Sequence, residues 1–221
     1  FEAVRYVSQL FPSSRIEAVL FHVMSKIPES LLDIEKDLGY RHKHTSLSGW
    51  RMQQEKEIQE FMEKGRQLLI DKGVPDNVVR IKIQEKQEGI ARDIAREAKR
   101  DYDSVVVGRW GLSKLEDLIY GSIASKLIGH LVRVPLWVVG GRPQTGKILL
   151  AADASKEALR TMDYIGTMMS GLDSEITLFH VVRAIDYLIQ DTWDIPKKHA
   201  EILLNIGMRR LKKAGLSDDQ I

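Results

Sequence analysis

Short apolar strands alternate with amphipathic helices along the first 140 residues of the chain. The β-branched stretch at 104–107 is typical of a buried strand, and Ile123, Leu127 and Leu131 recur at helical spacing. Alternation of this kind predicts a parallel sheet with crossover helices on both faces. We therefore predict a doubly wound, mostly parallel five-stranded α/β sheet, Rossmann-like or flavodoxin-like. The predicted order is helix 1–11, strand 17–23, helix from about 51 to 72, strand 78–84, helix 89–100, strand 104–108, helix 122–132 and strand 135–140.

Small residues follow the strand at 104–108 in a recognisable pattern. Gly108, Gly111, Gly121 and Ser122 have the spacing G-x2-G-x9-G-[ST], between a predicted strand and a predicted helix. A loop that turns several N–H groups toward one anion needs positive φ angles and close approach of the backbone, which favours glycine. Ser122 adds a hydroxyl at a helix start. The motif predicts a phosphate site, and the alternative is that the glycines only end the strand and start the helix.

The stretch around this motif, residues 89–141, resembles the C-terminal half of a universal stress protein domain. In that family a loop of this spacing follows the fourth strand and binds an adenine nucleotide. The resemblance implies that ATP or another adenine nucleotide is the cofactor, with or without Mg²⁺. It also implies that Val107 and Ile123 flank the nucleotide, that Val23 lies against adenine, and that an Asp ending the first strand meets the base or ribose.

Two short sequences recur in the second part of the chain. The sequence at 20–23 returns at 178–181, and the one at 2–5 returns in similar form at 157–160, which indicates an internal duplication.

The second copy begins with an apolar strand at 147–151, followed by Asp153 and by Ser155 as a helix N-cap. The Asp153 counterpart in the first copy would precede Phe1. We therefore expect a fragment: a universal-stress-protein-like domain at 1–142 that lacks its first strand, and the N-terminal half of a second such domain at 143–221.

Composition excludes several classes of function. Because the chain has no cysteine, disulfides, thiol catalysis and cysteine-ligated zinc are ruled out. A net charge of +2 gives no reason to expect nucleic acid or membrane as a partner. No secretory signal opens the chain and no apolar run approaches about 20 residues, so we expect a cytoplasmic location.

The function expected is therefore regulatory binding of an adenine nucleotide, without catalysis and without a bound metal site in the protein. Two alternatives stay open: a scaffold of the same fold that binds no nucleotide, favoured by the acidic Glu116 and Asp117 within the loop, and a slow ATP hydrolase. The apolar strand from Pro135 to Val139 is a candidate sheet edge. We expect it to form a homodimer or an intramolecular pseudo-dimer.

Overall fold

A computed structural model describes residues 1–25, 44–109, 122–141, 144–182 and 194–221. The predicted site residues Gly111 and Gly121 lie outside the described residues, as do Glu116, Asp117 and residues 26–43. The chain divides into two compact units, Phe1–Pro143 and Gln144–Ile221. The reading of these units as one domain and half of another stays a prediction.

The first unit alternates helices with strands in the predicted order. Its described elements are α1 (Glu2–Leu10), β1 (Ala18–Met24), α2 (His44–Ile70), β2 (Val79–Glu85), α3 (Ile90–Glu97), β3 (Val105–Gly108), α4 (Ser122–His130) and β4 (Leu136–Val139).

The strands of the first unit pair in parallel. β1 runs beside β2 with Ala18 opposite Val79, and β3 runs beside β4 with Val105 opposite Leu136. Within the described residues these are separate two-stranded ladders. The parallel arrangement is confirmed, whereas the continuous five-stranded sheet stays a prediction.

Helices cover both faces of the β1–β2 ladder. On one face Leu20 packs on a buried cluster to which α2 contributes Leu69 and β2 contributes Val79. On the other face the Lys82 ammonium lies 5.7 Å from the centre of the Phe21 ring and pairs with Glu97 of α3. Because adjacent residues of a strand point to opposite faces, α2 and α3 lie on opposite sides. The predicted α/β class is thus confirmed.

Helix α2 begins earlier than predicted. The structure extends it to His44, so residues 44–50 are helical. Near this start of the helix, Gly49 and Met52 are exposed. Exposed residues add nothing to an apolar period, which is the signal by which a helix is predicted.

The second unit consists of β5 (Lys147–Ala151), α5 (Lys156–Met169), β6 (Glu175–Phe179), α6 (Asp194–Lys213) and a short 3-10 helix (Asp218–Gln220). β5 and β6 pair in parallel, with Leu150 opposite Leu178. The Ser155 hydroxyl accepts the N–H of Ala158 at 3.1 Å, which confirms the predicted N-cap of α5. Buried Met162 and Leu211 belong to the two helices that cover this ladder.

Candidate functional site

The strand side of the predicted phosphate loop is the carboxyl end of β3. Val107 and Gly108 pair with Val138 and Val139 of β4, and the Arg109 N–H donates to the Val139 carbonyl at 2.5 Å. A Cβ at Gly140 would lie 2.6 Å from the Arg109 side chain, so glycine there leaves room for the chain as it departs from β3. The ladder therefore fixes where the loop begins.

The helix side of the loop is the first turn of α4. Ser122, its first residue, is exposed, and Ile123 is half-buried. Ala124 and Leu127 are buried, and α4 packs against α3. The helix start is thus held in place while Ser122 stays exposed, and helix N-termini offer unpaired N–H groups to anions. Gly111 and Gly121, between these two ends, lie outside the described residues.

Val23, the residue expected against adenine, lies near the carboxyl end of β1 and is 6 % exposed. Within the described residues β1 and β3 share no ladder, so hydrogen bonding does not join Val23 to Val107. The neighbouring His22 is half-buried, and burial lowers the pKa of its imidazole. His22 is accordingly neutral near pH 7, as suits a core histidine.

Asp153 is the one predicted site residue that belongs to the second unit. Its Oδ1 accepts the Ser155 N–H at 2.9 Å, just after β5. Hydrogen bonds from the Ser155 hydroxyl and N–H lower the pKa of the Asp153 carboxyl despite some burial. Beside it, His180 Nδ1 lies 2.7 Å from the Ala152 carbonyl oxygen. The structure therefore shows an ionised carboxylate just after β5. The hydrogen bond described for this carboxylate comes from Ser155, the N-cap residue of α5.

Sequence reasoning missed a buried carboxylate in α3. Asp93 is 1 % exposed, and its oxygens accept the N–H groups of Gln87 at 2.8 Å and Glu88 at 3.3 Å. Burial raises the pKa of Asp93, but these bonds, one from the Gly89 N–H and the charge of Arg96 lower it further, so it lies below its ordinary value. The carboxylate thus fixes the turn that leads from β2 into α3.

A second acidic residue lies one turn further along α3. Glu97 accepts Lys82 Nζ at 2.6 Å and the Tyr102 hydroxyl at 3.1 Å. Burial opposes ionisation, but these donors lower the pKa of Glu97. The spacing i, i+4 places Asp93 and Glu97 on the same side of the helix, and both residues are buried.

Two kinds of site are absent from the described part of the chain. It contains no group of three or more His, Cys, Asp or Glu residues that could hold a metal ion. None of its helices has the length and apolar character needed to cross a lipid bilayer.

Comparison with known proteins extends this description. Among solved structures, the hypothetical protein MJ0577, reported as a structure-based assignment of biochemical function, resembles the chain with a TM-score of 0.44 and 20 % identity. The similarity covers 64 % of this chain and 88 % of that one. No curated protein matches the chain. The model of the universal stress protein family matches residues 2–140, more than half of the sequence, in agreement with a Rossmann-like α/β fold. The chain therefore belongs to the universal stress protein family.

Proposed function

We propose that the first unit binds ATP or another adenine nucleotide, with the phosphates on the loop between Gly108 and Ser122. The observation that carries the proposal is the accessible start of α4, held by buried Ala124 and Leu127, directly after a glycine motif that leaves a parallel strand. In parallel α/β sheets ligands bind beyond the carboxyl ends of strands. A polyphosphate is the anion that suits several N–H donors and one hydroxyl.

Each predicted residue has a role in this proposal. Gly108, Gly111 and Gly121 allow the loop backbone to approach the phosphates, and Ser122 donates its hydroxyl. Val107 and Ile123 flank the nucleotide and Val23 lies toward the base, while Mg²⁺ accompanies the phosphates if ATP is the ligand. Asp153 is the second unit's counterpart of a base- or ribose-binding carboxylate.

The expected role is regulatory binding in the cytoplasm without fast turnover. Hydrogen bonds to charged groups contribute about 1.5–3 kcal/mol each, so three or four of them give roughly 5–12 kcal/mol before ordering and association costs. Micromolar affinity, about 8 kcal/mol, is the upper limit of what that balance leaves. Efficient phosphoryl transfer also needs positioned cations and a group that orients water, and the proposal assigns no residue to that task.

A matched pair of glycine substitutions tests the proposal. ATP and Mg²⁺ are titrated calorimetrically into the 221-residue protein, and phosphate release is followed in parallel. Gly121→Val is expected to weaken binding at least about 30-fold, because a branched side chain in the loop blocks approach of the phosphates. Gly129→Val is the control. Gly129 is an exposed residue of α4 where a Cβ would meet no atom within 4 Å, so the ATP affinity of this variant should equal that of the parent protein.

The result separates three functions. Binding without phosphate release, lost in Gly121→Val alone, supports the proposal. Absence of heat with the parent protein overturns it and favours the scaffold. Steady phosphate release that Gly121→Val abolishes favours a slow hydrolase.

We also propose that strand β4 joins two copies of the chain. The carbonyls of Pro135 and Val139 accept N–H groups of β3, so by alternation the backbone groups of Leu136 and Val138 turn toward the opposite edge. In the described residues β4 pairs only with β3. Two copies of the chain can pair along this edge of β4 and so form a homodimer. The intramolecular pseudo-dimer stays a prediction.

Val138→Pro is expected to convert the dimer to a monomer, because it removes an outward N–H and no bond of the β3–β4 ladder. Light scattering after size exclusion measures the mass. Val138→Thr keeps the N–H and should stay dimeric. A parent protein that is monomeric at 100 µM, or a dimer that survives Val138→Pro, contradicts this role for β4.

A further inference from the structure

The side chain of Arg109 lies across the backbone just beyond the carboxyl end of β4. A Cβ at Gly140 would be 2.6 Å from Arg109 Cβ, 2.6 Å from its Cδ and 3.2 Å from its Cγ. The aliphatic stem of the arginine therefore occupies the space that a side chain at position 140 would need. The guanidinium is bonded to Cδ, so it lies at the carboxyl edge of the β3–β4 ladder.

The aromatic contacts of Trp137 show which side of this ladder Arg109 faces. The Trp137 ring lies 6.1 Å from that of Tyr6 in α1 and 5.9 Å from that of Phe11, which follows α1. Phe11 also packs on the buried cluster that contains Leu69 of α2. Trp137 therefore faces the side of the ladder that carries α1 and α2.

Alternation along β3 turns Arg109 to the other side. Trp137 pairs with Val106, so these two residues share a side and Val107 faces the opposite one. Arg109 is two residues further on, and its N–H still donates to the Val139 carbonyl, which continues the ladder by one residue. Arg109 therefore lies on the side of Val107, away from α1.

Helix α4 lies on this same side. It packs against α3, which lies opposite α2, whereas α1 packs with α2. Because β3 and β4 are parallel, the chain between them must return from their carboxyl edge to their amino edge, and α4 makes this return. Exposed Ser122, the first residue of α4, therefore lies toward the carboxyl edge. One cation and one helix N-terminus thus share an edge and a side of the ladder.

We propose that Arg109 binds the phosphate tail of the nucleotide and makes the site selective for a nucleoside triphosphate over a monophosphate, a role that rests on the proposed function. A guanidinium donates two parallel N–H bonds to a phosphate, which a lysine cannot do. ATP carries more negative charge on its tail than AMP, so the arginine stabilises bound ATP more. Gly140 is a positioning residue, because only glycine leaves room for the arginine stem.

Calorimetric titration of the 221-residue protein with ATP and with AMP measures this selectivity. Arg109→Gln is expected to weaken ATP binding at least about tenfold and AMP binding less than about threefold. Arg133→Gln is the matched control. Arg133 is exposed and precedes β4, so this variant loses the same charge at the amino end of the strand and should keep both affinities.

Two further variants test the fork and its placement. Arg109→Lys keeps the charge without the planar fork, so its ATP affinity should lie between those of the parent protein and Arg109→Gln. Gly140→Ala leaves the arginine in the chain but places a Cβ where the stem lies. It should lower the ratio of ATP affinity to AMP affinity at least about threefold, an effect that a general loss of stability would not produce.

Circular dichroism verifies that the variants are folded, and light scattering after size exclusion gives their mass. A parent protein that binds neither nucleotide overturns the proposed function and the role of Arg109 with it. ATP binding by the parent, with the same ATP-to-AMP ratio in folded Arg109→Gln, overturns the role of Arg109 alone. An unchanged ratio together with a loss of mass in Arg109→Gln would show that this arginine joins two copies of the chain instead.

Discussion

Valine at position 166 is expected to destabilise the second unit strongly. Gly166 lies in α5 where this helix meets the end of α6, and a Cβ there would be 2.7 Å from the Ala214 Cβ and 3.6 Å from Leu211 Cδ2. Leu211 is fully buried, so it has no free space into which it can move. Overpacking of a dense core costs about 1–3 kcal/mol, and a branched side chain at this contact belongs at the upper end.

A loss of that size is large for so small a unit. Domains of this length bury a limited fraction of their surface, and total stabilities are about 5–15 kcal/mol. We expect hydrogen-exchange protection to fall in β5, α5 and α6 of Gly166→Val, while β1 and β2 of the first unit keep theirs. Urea unfolding followed by circular dichroism gives the corresponding free energy.

A double substitution assigns the cause to the close contact. Gly166→Ala adds only the Cβ, which gains about 1 kcal/mol of helix propensity but meets Ala214. Ala214→Gly removes that obstacle, so the double variant should be more stable than the sum of the single effects predicts. Additive effects, or a Gly166→Val protein as stable as the parent, would show that the helices move apart without cost.

Local periodicity was sufficient to predict much of the fold. The β-branched run at 104–107 and the helical spacing of Ile123 and Leu127 are properties of neighbouring residues, and both elements lie where they were predicted. The same holds for Ser155, whose capping role depends only on the residues that follow it. These signals depend on contacts within a turn or along one strand, which is why a single sequence reveals them.

Features that depend on distant contacts were not predicted. The need for glycine at position 166 arises from Ala214, which follows the end of α6, 48 residues further along the chain. The candidate site also has parts that depend on neighbouring residues and parts that depend on distant contacts. The sequence identified the strand end at Gly108 and the helix start at Ser122, but it gave no sign of the Asp93 carboxylate that fixes a neighbouring turn.

The second large effect concerns that carboxylate. Asp93→Asn should destabilise the first unit strongly at neutral pH, lowering its melting temperature by roughly 5 °C or more. An amide has one acceptor oxygen in place of two, so one of the N–H groups of Gln87 and Glu88 loses its partner at a part-buried position, and the ion pair with Arg96 is lost. Asp103→Asn, at an exposed position, should leave the melting temperature unchanged.

The pH dependence distinguishes a lost charge from a general packing defect. The pKa of Asp93 in the folded protein lies below its ordinary value of 3.8, so the stabilisation is present above that value and is lost as pH falls through the folded pKa. The parent protein should therefore lose stability below about pH 4, and the difference between parent and Asp93→Asn should shrink there. Glu97, whose pKa is also lowered, leaves the variant with some acid sensitivity. Urea unfolding from pH 7 to pH 2.5 measures both proteins. A difference that stays constant over this range would show that the ionised carboxylate is not what holds the turn, because only the charged form accepts all of its donors.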